Sequence, residues 1–361
     1  GATMSSLKSV HAPGIDESSI KPDEFGTKGN LQGNAAKIIM KILYVARVCR
    51  FDLMYPICSL SRFVTRWSVA CDRILHRAVC YMNTTKDRCL ESTIGNSVDE
   101  CKLVVFSDAD FAGDVRTSKS TSGGYVAIVG PNTFQPLVAL CKTQSVVSHS
   151  STESEIIALD TVLRVEGLPM ITLWDTIQDV FSGCEPTGGL PRSLSAAPTS
   201  KATSLSLKPE SPGGSGKPEQ KARSTGGSGK PEQTVKGPQL IACEDNDAVI
   251  KIVQKGRSMA LRHVFRTHRV AIDWLFEVFQ QKSIRIQYIH TTWQIADMFT
   301  KPFTKADTWS RLRKIASLHD PPSKTGRSVC CYPVMCVRPA LPAVGKVVAV
   351  AAPVRSGAMT V

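Results

Sequence analysis

Hydrophobic positions recur with two different periods along this chain, and the change falls near Cys101. Residues 1–33 are polar and Gly-rich with no sustained period, and a flexible lead-in is expected there. From Ala35 to about Thr84 the period is helical. Ile38, Ile39, Ile42, Leu43 and Ala46 recur on one side of a first stretch. The run Phe51 to Pro56 marks a break, and a second apolar-basic stretch follows from Ile57 to Phe63. A third, from Trp67 to Met82, places Trp67, Cys71, Ile74, Leu75, Ala78, Val79 and Met82 together. Residues 34–95 therefore read as a small helical unit.

Beyond Cys101 the pattern is that of short buried strands. Lys102 to Phe106 is an apolar run that ends on an acidic turn, Ser107-Asp108-Ala109-Asp110. Gly124 to Val129 is a second strand, closed by Gly130-Pro131-Asn132, and Leu137 to Cys141 a third. Ser151-Thr152-Glu153-Ser154-Glu155 is a helix-start signature, leading a helix through Ala158, Leu159, Val162 and Leu163. After a Gly-Pro break it extends over Leu168 to Val180. A strand Leu240 to Cys243 ends at Glu244-Asp245-Asn246, and Ala248 to Val253 starts a helix. A longer helix is expected over Val264 to Phe279. Ile284 to Ile289 alternates as a half-buried strand should, and a last helix spans Thr291 to Phe299, stopped near Pro302. The fold class is α/β, with a mixed five-stranded sheet flanked by helices.

Between the two parts the composition changes. Residues 183–237 are rich in Ser, Gly, Pro, Lys and Thr, and Gly213 to Gln220 is repeated at Gly226 to Gln233. Such a segment buries too little apolar surface to offset its ordering entropy, so a disordered linker is expected. Its Gly-Ser-Gly-Lys lacks the spacing and the preceding strand of a phosphate loop. The domain plan is then 1–33, 34–95, 101–182 and 238–305 around that linker, with a low-complexity basic tail over 320–361.

Charge narrows the partner. Lys and Arg total 44 against 31 Asp and Glu, a formal net charge of +13. That favours an anionic partner, nucleic acid first, although part of the excess lies in the tail. The 12 cysteines show no Cys-x-x-Cys pair and no zinc-finger spacing. With no leader in residues 1–20 and no apolar run able to span a bilayer, an intracellular protein is expected, cytoplasmic or nuclear, with no membrane partner.

Four acids stand at the ends of elements: Asp108 and Asp245 after strands, Glu155 and Asp297 in first helical turns. Taken singly, each could cap a turn or offset a helix dipole. Brought together they could not all ionise without a cation. Oxygen ligands of this kind suit Mg²⁺, and paired ions of that kind support phosphodiester cleavage. Asp110, Asp114 and Glu153 are near neighbours that rank second.

The blocks carrying these acids resemble a known family. Phe106 to Gly113 and Thr117 to Tyr125, Lys142 to Gln144 with Ser150 to Leu159, Glu244-Asp245-Asn246 with Ala248-Val249, and Gln294 to Pro302 occur in one order. Together they resemble the ribonuclease H domain of copia-type retrotransposon polyproteins, over residues 101–182 and 238–305. More weakly, Ala35 to Lys86, with Arg50-Phe51-Asp52-Leu53 and Leu60 to Phe63, is similar to the connection between reverse transcriptase and ribonuclease H. The resemblance implies a ribonuclease H-like fold and an enzyme that cuts the RNA strand of RNA–DNA hybrids with two Mg²⁺ or Mn²⁺ ions. It places the metal-binding catalytic acids on Asp108, Glu155, Asp245 and Asp297. It suggests an upstream reverse transcriptase as a partner.

His290, just after the last strand, matches the place where some ribonuclease H domains keep a mobile catalytic histidine; a solvent-exposed loop histidine is the plainer reading. Arg262, His263, Arg266 and Arg269 form a basic face suited to phosphate contact, or simply to solvent. Their block, through His268, resembles only a divergent branch of the family. The alternative function is an inactive nucleic-acid-binding remnant, which the insertion and tail favour. An integrase-like nuclease fits the four acids less well.

Overall fold

The computed structural model describes residues 7–16, 19–114, 116–181 and 239–320, together with the strand Lys346–Ala349. The linker expected over 183–237, and the tail apart from Asp320 and that strand, lie outside the described residues.

The centre is a mixed sheet. Its strands are β1 (Cys89–Thr93), β2 (Lys102–Asp110), β3 (Thr121–Gly130), β4 (Thr133–Thr143), β5 (Leu240–Glu244), β6 (Ile284–Tyr288), β7 (Leu318–His319) and β8 (Lys346–Ala349). The spatial order is β6-β5-β2-β3-β4-β1-β7, with β8 also paired to β1. β2, β3 and β4 run antiparallel, while β5 joins β2 and β6 joins β5 in parallel. Five of these strands are those expected. The sheet is wider because β1, β7 and β8 extend it beyond β4. β1 reads Cys-Leu-Glu-Ser-Thr, with one strongly apolar side chain, and β7 has two residues, so neither carries a period.

The middle strands are apolar throughout because both faces are covered. Val104 and Phe106 of β2 face one core, with Tyr125, Ala127 and Phe134. Leu103 and Val105 face the other, with Val126, Leu240, Ala242 and Ile284. Against the first pack α2 (Ala35–Val48), α3 (Met54–Ser61) and α4 (Val69–Thr84), with α10 (Ala306–Ile315). Here α1 is the short helix Pro22–Gly26. Against the second pack α5 (Ser151–Val162), α6 (Leu168–Phe181), α7 (Asp247–Lys255) and α9 (Ile272–Gln280). α8 is the short helix Val264–His268.

The helical unit expected over 34–95 is a covering layer of the sheet as far as α4, whereas its last part, Cys89–Thr93, is strand β1 of the sheet itself. Ala35, Ile39, Ile42 and Ala46 bury the face of α2 that its period marks. Pro56 falls inside α3, where a break was expected. It sits in the first turn, whose N–H groups have no intrahelical partner to lose. The lead-in, expected to be flexible, is packed where described. Val10, Ala12 and Ile20 are buried, Val10 N–H donates to Thr84 Oγ1 and Gly14 N–H to Phe303 O.

Three helix expectations change. The Gly-Pro break at Gly167 is a π-turn, Leu163–Gly167, through which α5 continues into α6. The helix expected over Val264 to Phe279 is two, α8 and α9, because Arg269 takes a left-handed conformation at φ 60°. The segment Thr291 to Phe299 is two 3₁₀ turns, Thr291–Trp293 and Ile295–Phe299, rather than an α-helix. Gln294 between them is extended, and its Nε2 donates to Ser107 O at 2.9 Å, which ties the second turn to β2.

Candidate active site

The glycine pair of β3 sets how closely elements approach the middle of the sheet. A Cβ on Gly123 would lie 2.6 Å from Thr300 Cγ2 and 2.7 Å from Ala296 O. A Cβ on Gly124 would lie 2.6 Å from Val162 of α5. One glycine therefore admits the turn Ile295–Phe299 on one face, and the other admits α5 on the opposite face. Asp108 pairs across from Gly123, so its side chain emerges beneath that turn.

Asp108 is buried, at 3% exposure. Its Oδ2 accepts from Thr300 Oγ1 at 2.5 Å, and Lys301 Nζ stands 3.5 Å away. The same ammonium is 2.5 Å from Asp297 Oδ1. Burial first, and then the Asp108 charge, raise Asp297 to about 7. Glu155 accepts from Asn246 Nδ2 and is also raised to about 7. Burial is the main cause, and the charges of Asp108 and Asp245 add to it. Asp108 is therefore within electrostatic reach of both Glu155 and Asp297, and Asp245 within reach of Glu155. On Lys301 burial acts downward, but Asp108 and Asp297 outweigh it and hold the ammonium charged.

The near neighbours separate. Asp110 takes the backbone N–H of Thr121 and is lifted to about 7, by burial first and by Asp108 as well. Asp114 is held by Arg62 at 2.8 Å and by Thr117 Oγ1 at 2.7 Å, a turn-building role. Glu153 turns away from the four acids and faces His149, His263 and His268. His290 is exposed, caps the turn Thr291–Trp293 and engages Thr292. Arg262, Arg266 and Arg269 are exposed and in no ion pair among the described residues. His263 leaves that face, with Nε2 3.3 Å from Glu153 Oε2.

Two participants carried no sequence signal as such. Glu244, the last residue of β5, is fully buried, with Oε2 taking Ser107 Oγ at 3.0 Å. Burial and the charges of Glu155, Asp245 and Asp108 push it well above the carboxylate range. Lys301 is the other, four residues past Asp297.

Carboxylate oxygens are the donor set that hard divalent cations take, and the raised acids need a cation to ionise together. In chemical type the four acids fit Mg²⁺. In spacing they are looser than a closed ligand set. Among the described residues, the three-ligand group whose atoms all lie within 4.8 Å is His149, Glu153 and His263.

A pH effect follows from the raised acids. The folded state binds protons on Asp110, Glu155 and Asp297 that the unfolded chain has released, so their stabilisation is lost as pH rises from about 4 to about 7. Melting in chelator at pH 8 should therefore come several degrees below melting at pH 6.5, at about 2–4 °C per kcal/mol. Saturating Mg²⁺ should narrow the gap. Equal melting temperatures in chelator at the two pH values would contradict the assignment.

The arrangement defines a mixed α/β protein with a cluster of coupled carboxylates across its central strands. Comparisons with known proteins place it further. The chain is 36% identical over 123 residues to the secreted RxLR effector protein 161 of Plasmopara viticola, covering 33% of this chain and 78% of that one. It belongs to the same family as that protein over this region. It is also 30% identical over 131 residues to a putative transposon Ty5-1 protein of Saccharomyces cerevisiae, which is 36% of this chain and 40% of that one. No family model matches, and no solved structure matches. No helix among the described residues is long and apolar enough to cross a membrane.

Proposed function

We propose that this chain is the ribonuclease H domain of a copia-type retrotransposon polyprotein, a metal-dependent endoribonuclease acting on the RNA strand of RNA–DNA hybrids. The observation that carries this reading is that buried Asp108 on β2 lies within electrostatic reach of Glu155 on α5 and of Asp297 on the turn Ile295–Phe299, with Asp245 after β5 within reach of Glu155. The strand arrangement supports it. An antiparallel meander β2-β3-β4, extended by parallel β5 and β6, agrees with the mixed five-stranded sheet that the resemblance implies.

Asp108, Glu155, Asp245 and Asp297 would hold Mg²⁺ or Mn²⁺, two ions in the active complex. The chemistry such ions supply when bound is a nucleophilic water at neutral pH and stabilisation of the departing oxygen. The chain's own groups do the rest. Thr300 and Asn246 fix the Asp108 and Glu155 carboxylates. Lys301 balances part of the charge between Asp108 and Asp297. Exposed His290, whose Nδ1 is engaged by Thr292, would meet a product phosphate through its other ring nitrogen.

Arg262, Arg266 and Arg269 would contact backbone phosphates, which positions the hybrid without reading sequence. Arg266→Ala should weaken hybrid binding equally for unrelated sequences and lower the salt slope by about 1. A sequence-dependent loss, or an unchanged slope, would remove Arg266 from the interface.

A second reading is a nucleic-acid-binding remnant without catalysis. The Lys301 ammonium between Asp108 and Asp297, and the looseness of the four acids, favour it. The separating experiment incubates the chain in Mg²⁺ with a hybrid, and with the same RNA in an all-RNA duplex. Cutting of the hybrid alone is expected. Retained binding without cutting would establish the remnant.

A further inference from the structure

A second cluster of metal-type ligands lies apart from the four acids, where Glu153 turns from Asp108 toward three histidines. The Glu153 side chain is fully buried. Its Oε2 is 3.6 Å from His149 Nδ1 and 3.3 Å from His263 Nε2. Its Oε1 is 2.9 Å from His268 Nε2, on a side chain that is itself 1% exposed. The His149 and His263 rings meet edge to face, with centroids 5.3 Å apart.

These spacings suit a metal better than an ion-pair cluster. Four ligands at about 2.0–2.1 Å around a tetrahedral ion are about 3.3–3.4 Å from one another. The separations from Glu153 Oε2 to the two histidine nitrogens, 3.3 and 3.6 Å, bracket that edge. His263 Nε2, His268 Nε2 and Glu153 Oε1 are buried atoms that make no hydrogen bond, while Glu153 Oε2 accepts from the His149 backbone N–H at 2.9 Å. A buried carboxylate needs a compensating charge close by, which a divalent cation held by the same groups would supply.

We propose that His149, Glu153 and His263 bind a divalent transition ion of the Zn²⁺ class, with His268 orienting the carboxylate from behind. Two imidazoles and one carboxylate are a borderline-soft set, which favours Zn²⁺ over Mg²⁺ or Ca²⁺. Ligating carboxylates are commonly supported by a polar group from outside the ligand set, and His268 Nε2, 2.9 Å from Glu153 Oε1, is placed to do this. His149 is exposed, which leaves one side for water.

The location gives the site a purpose. His149 and Glu153 lie at the start of α5, before the long insertion, whereas His263 and His268 lie in and beside α8, after it. A shared ion joins the two parts of the chain across the insertion. Clips that close long loops gain the most from restricting the unfolded chain. The inference is independent of the proposed nuclease activity.

The test strips the whole chain of metal and titrates it with Zn²⁺ against a chromophoric chelator, beside His149→Ala and Glu153→Gln. His149 is 72% exposed on its side chain, so its variant should fold. The parent should bind one Zn²⁺ that His149→Ala weakens by at least about 10-fold. Zn²⁺ should raise the melting temperature of the parent more than that of His149→Ala. Co²⁺ at the site should give visible d–d bands with no thiolate charge-transfer band, which separates it from the cysteines. No binding by the parent, equal binding by parent and His149→Ala, or a thiolate band on the bound Co²⁺ would overturn the proposal.

Discussion

Asp108→Asn should reduce hybrid cleavage by at least about 10³-fold while leaving hybrid binding within about twofold. The amide keeps the shape and can still accept from Thr300 Oγ1, so the fold around Gly123 is retained. What is lost is the negative charge nearest the centre of the cluster. Asp297 and Glu155 are both raised in part by that charge, so both should fall toward ordinary values in the variant. The chelator melting difference between pH 6.5 and pH 8 should shrink with them. Full activity in Asp108→Asn would mean that the cut, if any, is made elsewhere.

Asp52→Ala should be the most destabilising single change in the helical layer, by about 3–5 kcal/mol. The Asp52 side chain is fully buried. It accepts from Arg50 Nε and Nη2, both at 2.9 Å, and from Tyr81 Oη at 2.7 Å, while Arg88 Nη1 stands 3.6 Å away. Arg50 and Arg88 are 6% and 5% exposed, so removal leaves Arg50 a buried cation without its carboxylate and takes a second acid from beside Arg88, which keeps Asp320. The network continues across the molecule. Trp309 Nε1 donates to Tyr81 Oη at 2.9 Å, and Arg88 pairs with Asp320 at 2.8 Å. The melting temperature should drop by about 10 °C or more in a single transition. Removing Glu24 from its exposed pair with Arg73 should cost under about 1 kcal/mol. A loss from Asp52→Ala as small as that from Glu24→Ala would show that the layer is not coupled to the sheet.

The contrast shows what the sequence could tell. β2, β3 and β5 were legible because both faces are buried, so each reads as an unbroken apolar run. β1 was not, because Glu91 and Ser92 are buried at a sheet position with no apolar side chain to mark it. The helix break at Arg269 was hidden, since a left-handed arginine carries no signature of the kind that glycine does. The 3₁₀ turn bearing Asp297 looked like an α-helix because its apolar residues Ile295, Ala296, Met298 and Phe299 are all buried, whatever the helix type.

The site was legible in parts for a similar reason. Asp108, Glu155, Asp245 and Asp297 stand next to recognisable strand and helix starts, so their positions followed from the elements. Glu244 and Lys301 follow from tertiary closeness alone. Residues far apart in the chain decide that one becomes a buried acid and the other a counter-charge. Glu153 and Glu155 are two residues apart, and the resemblance placed the metal-binding acid on Glu155 with Glu153 ranked second. The fold sends one to Asn246 and the other to His263 and His268. His263 looked like part of a basic face and instead meets a buried carboxylate. The Arg50-Phe51-Asp52-Leu53 block, read as a family resemblance, proves to hold a buried ion pair on a 3₁₀ turn.

The measurement that bears most directly on the central claim is strand-resolved cleavage of an RNA–DNA hybrid by the whole chain, with each strand labelled differently. In Mg²⁺ the RNA strand should shorten while the DNA strand stays intact, and chelator should stop the reaction. An intact RNA strand in Mg²⁺ and in Mn²⁺, with the hybrid still bound, would contradict the nuclease and leave a nucleic-acid-binding remnant.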